Sequence, residues 1–546
     1  LFGRRQPVAH APGSDSYTQL ISNFSLFFFE IGLLVCAIAI SRQRGFSPPV
    51  IRPRWLALAV AALCPVVLRL ALLPWWPAPF PTVTDEFSYL LAADTYASGR
   101  LTNPQHPLWK HFDSVNILVR PTYASKYPPG QGLVLAAGQV LFHHPWAGVC
   151  LGVALMGGAI YWMLEAFIGR RWALTGALLA GLQFGLAGYW MNSYWGGALA
   201  AAAGALVLGA AIRQRPVSLG LGVVLLAITR PVEGLIFCIP TLFLLKRRTM
   251  LLAAPIVCVG LAGIAYQNWR VTGDPLRLPY IEFADRYQAT PAFIWNHVRH
   301  DILYVDPFLE LNYVKGEVQI VSGPLYERLA VKAWQIWIFY LGPTLTLPFF
   351  FATRLRKDRR LRLLWPFAAS AAVTVIIVSV YFPHYIAPYT AVFVAFIVQA
   401  FRHLNAGRHR IGSRIAAVIP AVVCITVATA TFLAITQHSG PTFNSPPGWC
   451  CRKTGPWERF FVLDKLEKEP RPQLLIVRYA MIRALPAWVY NPADIDSAKV
   501  IFARDFGPCG NQELLHYYKN RQKWLLEVDG YDYKLRPYPE NETCGG

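Results

Sequence analysis

Apolar runs broken by short clusters of Arg, Lys, Pro and Gly fill most of the chain from residue 22 to residue 435, and long mixed segments interrupt them only twice. A bilayer core needs roughly 20 apolar residues per helix. On that measure the pattern predicts about twelve membrane helices, at 22–40, 55–73, 145–168, 172–190, 198–212, 217–229, 234–245, 250–266, 334–352, 363–380, 385–401 and 415–435. The runs 217–229 and 234–245 are short and read as a bent pair. The mixed segments are 74–131 and 267–333. Beyond 435 the pattern changes: the Gly/Pro/Ser/Asn stretch from His438 to Gly448 reads as a linker. After it a helical pattern at 456–468, strand patterns at 474–479 and 500–504, a helix at 511–521 and a strand pair at 523–536 predict a small α/β domain. The expected division is an extension with an extra span at 1–54, a transmembrane core at 55–435 and a C-terminal domain at 436–546. No short-period repeat is visible, which argues against a solenoid.

Composition supports a polytopic α-helical membrane protein. Hydrophobic residues make up 55% of the 546 and charged residues 15%, against about 25% charged in globular domains. The formal charge of +21 becomes interpretable once it is located. Segments 41–54, 169–171, 213–216, 246–248, 353–362 and 402–414 hold 21 basic residues, with Asp358 the only acid. Lys and Arg favour cytoplasmic loops, so these six connections are expected inside the cell. The larger segments 74–131 and 267–333 and the tail are nearly balanced in charge and are expected outside. This makes the chain a multi-pass protein of the inner (cytoplasmic) membrane with its C-terminal domain in the periplasm. It also disposes of nucleic acid as a partner, because the basic charge forms no single face.

Six cysteines, Cys36, Cys64, Cys150, Cys238, Cys258 and Cys424, fall in apolar runs and read as small core residues. The other four, Cys450, Cys451, Cys509 and Cys544, lie in the outer tail and predict two disulfides. Adjacent cysteines rarely bridge each other, so Cys450 and Cys451 are each expected to pair with Cys509 or Cys544.

The first outer segment carries the candidate chemistry. It opens PFPTVTDEFSYLLAADTYASGRL and closes RPTYASKYPPGQG. A helix is expected to start near Asp85 and lie along the membrane surface, with an apolar face of Phe87, Leu90 and Leu91. Asp85 and Glu86 then project from its first turn, about 100° apart, so that one can face a reacting centre and the other a backbone amide, a metal or solvent. Acids in a first turn also complement the helix dipole without any function. Lys126, in Lys126-Tyr127-Pro128-Pro129, can meet a lipid phosphate at the membrane boundary, or simply snorkel. His106, His111 and Asp113 are too loosely spaced to read as a metal site.

The TDE in the first outer segment, the KYPP before the next span, the many spans and the outer tail together resemble the GT-C membrane glycosyltransferases. The likeness is to bacterial relatives of protein O-mannosyltransferases and lipid A aminoarabinose transferases, and covers roughly residues 55–435. It implies transfer of a sugar from a polyprenyl phosphate carrier to an acceptor hydroxyl on a glycan, lipid or protein outside the membrane, usually with inversion. It implies an acid of the first outer loop as general base: Asp85 matches best, with Glu86 the rival. The apparent span at 22–40 departs from the family pattern. No cofactor beyond the lipid-linked donor follows with certainty, and a divalent metal stays open.

Further residues fit that chemistry. Arg230, with Glu233 three residues on, is a charge at membrane depth between two short runs, a candidate phosphate contact or a structural ion pair. Arg270 opens the second outer segment and is another candidate phosphate contact, or an interfacial anchor. Tyr127, Asn192, Tyr194, Trp195 and His384 are candidate sugar or acceptor contacts, and an interfacial aromatic belt explains several of them equally well. A transporter, or a non-catalytic subunit of a larger membrane assembly, is the alternative. The transporter would be expected to place its ionisable pairs nearer mid-bilayer.

Overall fold

The computed structural model describes residues 14–351, 355–407, 410–437, 457–480, 487–530 and 532–539. Helices cover every predicted apolar run, but several are broken or short. Five helices are long and apolar enough to cross a membrane: Arg54–Ala71, Trp146–Ile168, Arg247–Thr272, the kinked Pro383–Asn405 and Arg410–Thr436. Shorter apolar helices are Phe27–Ile40, Ala198–Arg213, Pro216–Thr229, Pro231–Leu242 and Trp365–Ile377. Against about twelve predicted spans, several runs are shortened or broken among the described residues. The run 172–190 becomes helix Arg170–Ala180 followed by a π-helical turn Gly181–Leu186, and the run 334–352 breaks at Leu341 between helices Leu325–Tyr340 and Gly342–Phe351. Hydropathy averages over these breaks, although Gln183 in the first and the Gly342-Pro343 pair at the second are local signals of them.

One helix was not foreseen. Pro129–Phe142 contains three glycines and follows a Pro-Pro pair, a composition that reads as loop. Its glycines instead let helices approach: a Cβ at Gly138 would sit 2.2 Å from the amide nitrogen of Gly148 on helix Trp146–Ile168. Small residues at crossings are how membrane helices gain contact where lipid is as apolar as leucine.

The six basic connections gather at one end of the helical body. Glu165 pairs with Arg54 at 2.6 Å, Arg170 at 3.1 Å and Arg213 at 3.3 Å, each from a different connection. Gln214 Oε1 accepts from Lys246 N, Gly45 N donates to Ser413 O, and His403 meets Asp358 at 2.8 Å, which ties in the remaining three.

The tail forms a four-stranded sheet in the order Val500–Arg504, Gln473–Tyr479, Gln522–Asp529, Asp532–Pro537. The first three strands are parallel and the last antiparallel, an α/β unit as expected. At the other end of the body, one apolar cluster joins this sheet to both outer segments, through residues such as Phe87, Tyr123, Phe283, Tyr313, Ile476 and Ile501. Polar ties complete the docking. Buried Arg504 pairs with Asp306 at 3.0 Å and donates to the Asp113 carbonyl at 2.7 Å, Asp94 accepts from Ala493 N, and Tyr123 donates to the Asn491 carbonyl. His106 and His111 belong to the same seam, facing Asp496 and the Arg504 carbonyl. The six cysteines of the apolar runs are free. Cys450, Cys451 and Cys544, the pairing predicted for them and the linker 438–448 lie outside the described residues.

Breaking a buried ion pair from one side leaves a stranded charge and costs about 3–5 kcal/mol. Arg504→Ala is therefore expected to loosen the tail from the outer segments, read as faster proteolysis within 457–537 with the helical body intact. Unchanged digestion would refute this docking.

Candidate functional site

Helix Thr84–Ala97 has no side-chain cap at Val83. Its start is held by its own third residue: Glu86 Oε2 accepts from Thr82 N at 2.7 Å and Val83 N at 2.9 Å, and Oε1 accepts from Tyr194 N at 2.9 Å. The first two contacts are half of a capping box. The third reaches across to the segment between helices Arg170–Ala180 and Ala198–Arg213. Burial pushes the Glu86 carboxyl up to about 7, against the pull of those amides. Glu86 is 1% exposed and all its contacts are structural. The apolar face of this helix is covered by protein. Phe87 and Leu91 are buried against the tail, with Phe87 stacked on Tyr490 at 4.1 Å, and Gly132 of Pro129–Phe142 packs against Ala92 and Tyr96.

With Glu86 turned inward, Asp85 stays partly exposed. Tyr127 OH donates a short hydrogen bond to its Oδ1, and Thr84 Oγ1 and Asn116 Nδ2 stand 3.3 and 3.4 Å from its Oδ2. Asn116 holds this position in a left-handed backbone (φ 67°), a conformation asparagine tolerates better than most residues. Its Oδ1 is buried without a hydrogen bond.

Lys126 precedes Tyr127 at the end of the same outer segment. Its ammonium lies among rings, 4.4 Å from the centroid of Phe283, 5.1 Å from Tyr127 and 5.4 Å from Tyr280. Burial lowers its proton affinity, and the charges of Glu317 and Asp85 raise it. Among the described residues it makes no hydrogen bond and no ion pair. Arg230 sits at the break between helices Pro216–Thr229 and Pro231–Leu242, 3.9 Å from Glu233 and 4.6 Å from the ring centroid of Tyr385. Tyr89 connects the groups: it stacks on Tyr127 at 4.4 Å and lies in the fields of both Arg230 and Asp85.

Asp85, Lys126, Tyr127 and Arg230 thus form one cluster, and the remaining candidates stand apart from it. Arg270 is exposed, with Tyr266 OH at 3.4 Å as its contact. Asn192 accepts from Arg69 Nε at 2.7 Å and donates to the carbonyls of Leu186 and Gly188, which uses its amide fully. Tyr194 donates to the Pro79 carbonyl. Trp195 packs at 4.7 Å against His384, whose Nδ1 is 2.8 Å from Tyr189 OH. These four are buried within the helical body. Glu317, Asn116, Tyr280 and Tyr385 were missed. Glu317 is one of eight acids in its segment, and only the fold distinguishes it. Among the described residues no group of three or more His, Cys, Asp or Glu side chains converges as a metal site would.

No family model and no curated relative matches the sequence. Among solved structures, ArnT from Cupriavidus metallidurans bound to undecaprenyl phosphate is similar at TM-score 0.50 and 12% identity, over 91% of this chain and all of that one. The apo form of the same protein gives 0.46 at 13% identity, over 86% of this chain and 93% of that one. The Archaeoglobus fulgidus oligosaccharyltransferase tethered to an acceptor peptide gives 0.45 at 12% identity, over 87% and 69%. The likeness to ArnT shows a shared fold.

Replacing Glu86 by Ala leaves one buried and two part-buried amides without their acceptor, at about 1–3 kcal/mol for the buried one. The expected result is a lowered melting temperature of the purified protein. An unchanged melting temperature would show that the clamp does not hold the helix start.

Proposed function

We propose that the chain is a membrane glycosyltransferase that moves a sugar from a polyprenyl phosphate carrier to an acceptor hydroxyl on the outer side of the membrane. The observation that carries this reading is the cluster itself: a partly exposed carboxylate and a cation without an ion-pair partner among the described residues stand on either side of Tyr127, at the end of the body opposite the basic connections. The shared fold with a protein captured on undecaprenyl phosphate is consistent with it.

The chemistry needs few groups. A polyprenyl phosphate is already a good leaving group, so the protein has to take a proton from the acceptor and stabilise the departing phosphate. In this reading the acceptor oxygen attacks the anomeric carbon as the carbon–oxygen bond to phosphate breaks. The hydroxyl proton passes to Asp85, and the released phosphate stays paired with Lys126 and Arg230. Attack from the face opposite the leaving group inverts the anomeric centre. Tyr127, Thr84 and Asn116 position the carboxylate. Arg270 has no part in this version, and Asn192, Tyr194, Trp195 and His384 shape the wall instead of touching the sugar. The tail packs on the outer segments that carry the cluster, in what we take to be the periplasm.

General-base assistance contributes about 10²–10⁴-fold. In proteoliposomes supplied with labelled polyprenyl-phosphate sugars and cell-envelope acceptors, Asp85→Asn should lower transfer at least about a hundredfold and leave donor binding in place. Transfer at the wild-type rate would remove Asp85 as the base and favour a non-catalytic role for the fold.

A further inference from the structure

A charged hollow lies at the other end of the molecule and has no part in the proposed reaction. Lys357, Arg359 and Arg360, from the connection between helices Gly342–Phe351 and Trp365–Ile377, meet Arg402 and His403 of helix Thr390–Asn405 around an open cavity of about 470 Å³. Its one carboxylate, Asp358, does not neutralise it. Asp358 Oδ1 accepts from Arg360 N at 2.9 Å, and Oδ2 accepts from Gln399 Nε2 at 3.0 Å and meets His403 Nε2 at 2.8 Å. The acid thus braces the two elements against each other. Among the described residues the side chains of Lys357, Arg359 and Arg360 form no ion pair, and Arg402 reaches only Gln399 Oε1 at 3.4 Å.

Unpaired cations on a soluble surface need no explanation, because water solvates them. These are set at a particular height. Leu363 and Trp365, within a few residues of the arginines, are 44% and 61% exposed, and Phe350 at the end of the preceding helix is 76% exposed. Exposed tryptophan at a helix end marks the membrane interface, and the exposed Phe350 and Leu363 near it are apolar surface suited to acyl chains. A concave group of cations directly beyond that belt stands at the level of lipid phosphates, where basic pockets between membrane helices bind anionic headgroups.

We infer that Lys357, Arg359, Arg360 and Arg402 form a binding site for the phosphate headgroup of an anionic membrane lipid, on the face opposite the site of sugar transfer. The bound phosphate replaces the missing counter-ions, while the acyl chains run along the exposed Phe350 and Trp365. The phosphate chemistry is shared with free inorganic phosphate, and the exposed aromatic belt favours the lipid as its source.

The test uses the full chain in phosphatidylcholine nanodiscs with or without phosphatidylglycerol, and reads lipid retention by native mass spectrometry together with thermal stability. Arg359→Gln with Arg360→Gln removes two exposed charges and should weaken phosphatidylglycerol retention on the order of thirtyfold. Arg247→Gln with Arg248→Gln removes two exposed charges from the same end outside the cavity and should change it little. Lys357→Gln with Arg402→Gln should repeat the first result and substitutes for it if the first pair fails to fold. Equal loss from cavity and non-cavity pairs would overturn the inference, since diffuse surface charge would then explain binding. Full displacement of phosphatidylglycerol by inorganic phosphate would overturn the lipid assignment in favour of a free anion.

Discussion

The carboxylate of Glu86 sets the geometry from which the rest of the site follows. A buried carboxylate is tolerated only where donors surround it, and Thr82, Val83 and Tyr194 supply three backbone amides. Those bonds fix where helix Thr84–Ala97 begins and how it is rotated. Rotation about the axis is what separates two neighbouring acids: with Glu86 locked inward, Asp85 turns to Tyr127 and stays partly exposed. Adjacent residues with the same chemistry take different roles because one is occupied by backbone and the other is not.

That arrangement depends on support from two directions. From below, small residues let helix Pro129–Phe142 press against its neighbours, which fixes the height of Lys126 and Tyr127 at its start. From above, the tail shares an apolar core with both outer segments and pins them through Arg504, Asn491 and Ala493. The sheet therefore braces the outer segments that carry the cluster around Asp85.

The membrane character and the gathering of basic connections at one end were legible in the chain, because hydropathy and charge are carried by composition alone. So were the strands of the tail, where β-branched runs alternate with turn residues. The breaks at Gly181–Leu186 and Leu341 were not, since a single Gln183 and a single Gly342-Pro343 pair inside long apolar runs leave the averaged hydropathy high. Asp85 and Lys126 could be singled out because each is a charge at a membrane boundary. Asn192, Tyr194, Trp195 and His384 look like sugar ligands in a linear reading and prove to be internal partners of Arg69, Pro79, Tyr189 and one another. Sequence cannot distinguish a polar group aimed at a ligand from one aimed at its own fold. Glu317 was invisible for the converse reason: it comes near Lys126 only through tertiary packing.

The central claim is that the ammonium of Lys126, held among aromatic rings beside Asp85, is where a lipid phosphate docks. The most direct measurement is the affinity of undecaprenyl phosphate for the purified wild-type protein, Lys126→Gln and Arg270→Gln. The account predicts a loss of binding on the order of tenfold or more for Lys126→Gln, the loss of one charge-assisted contact, and wild-type affinity for Arg270→Gln. Undiminished binding by Lys126→Gln would contradict it.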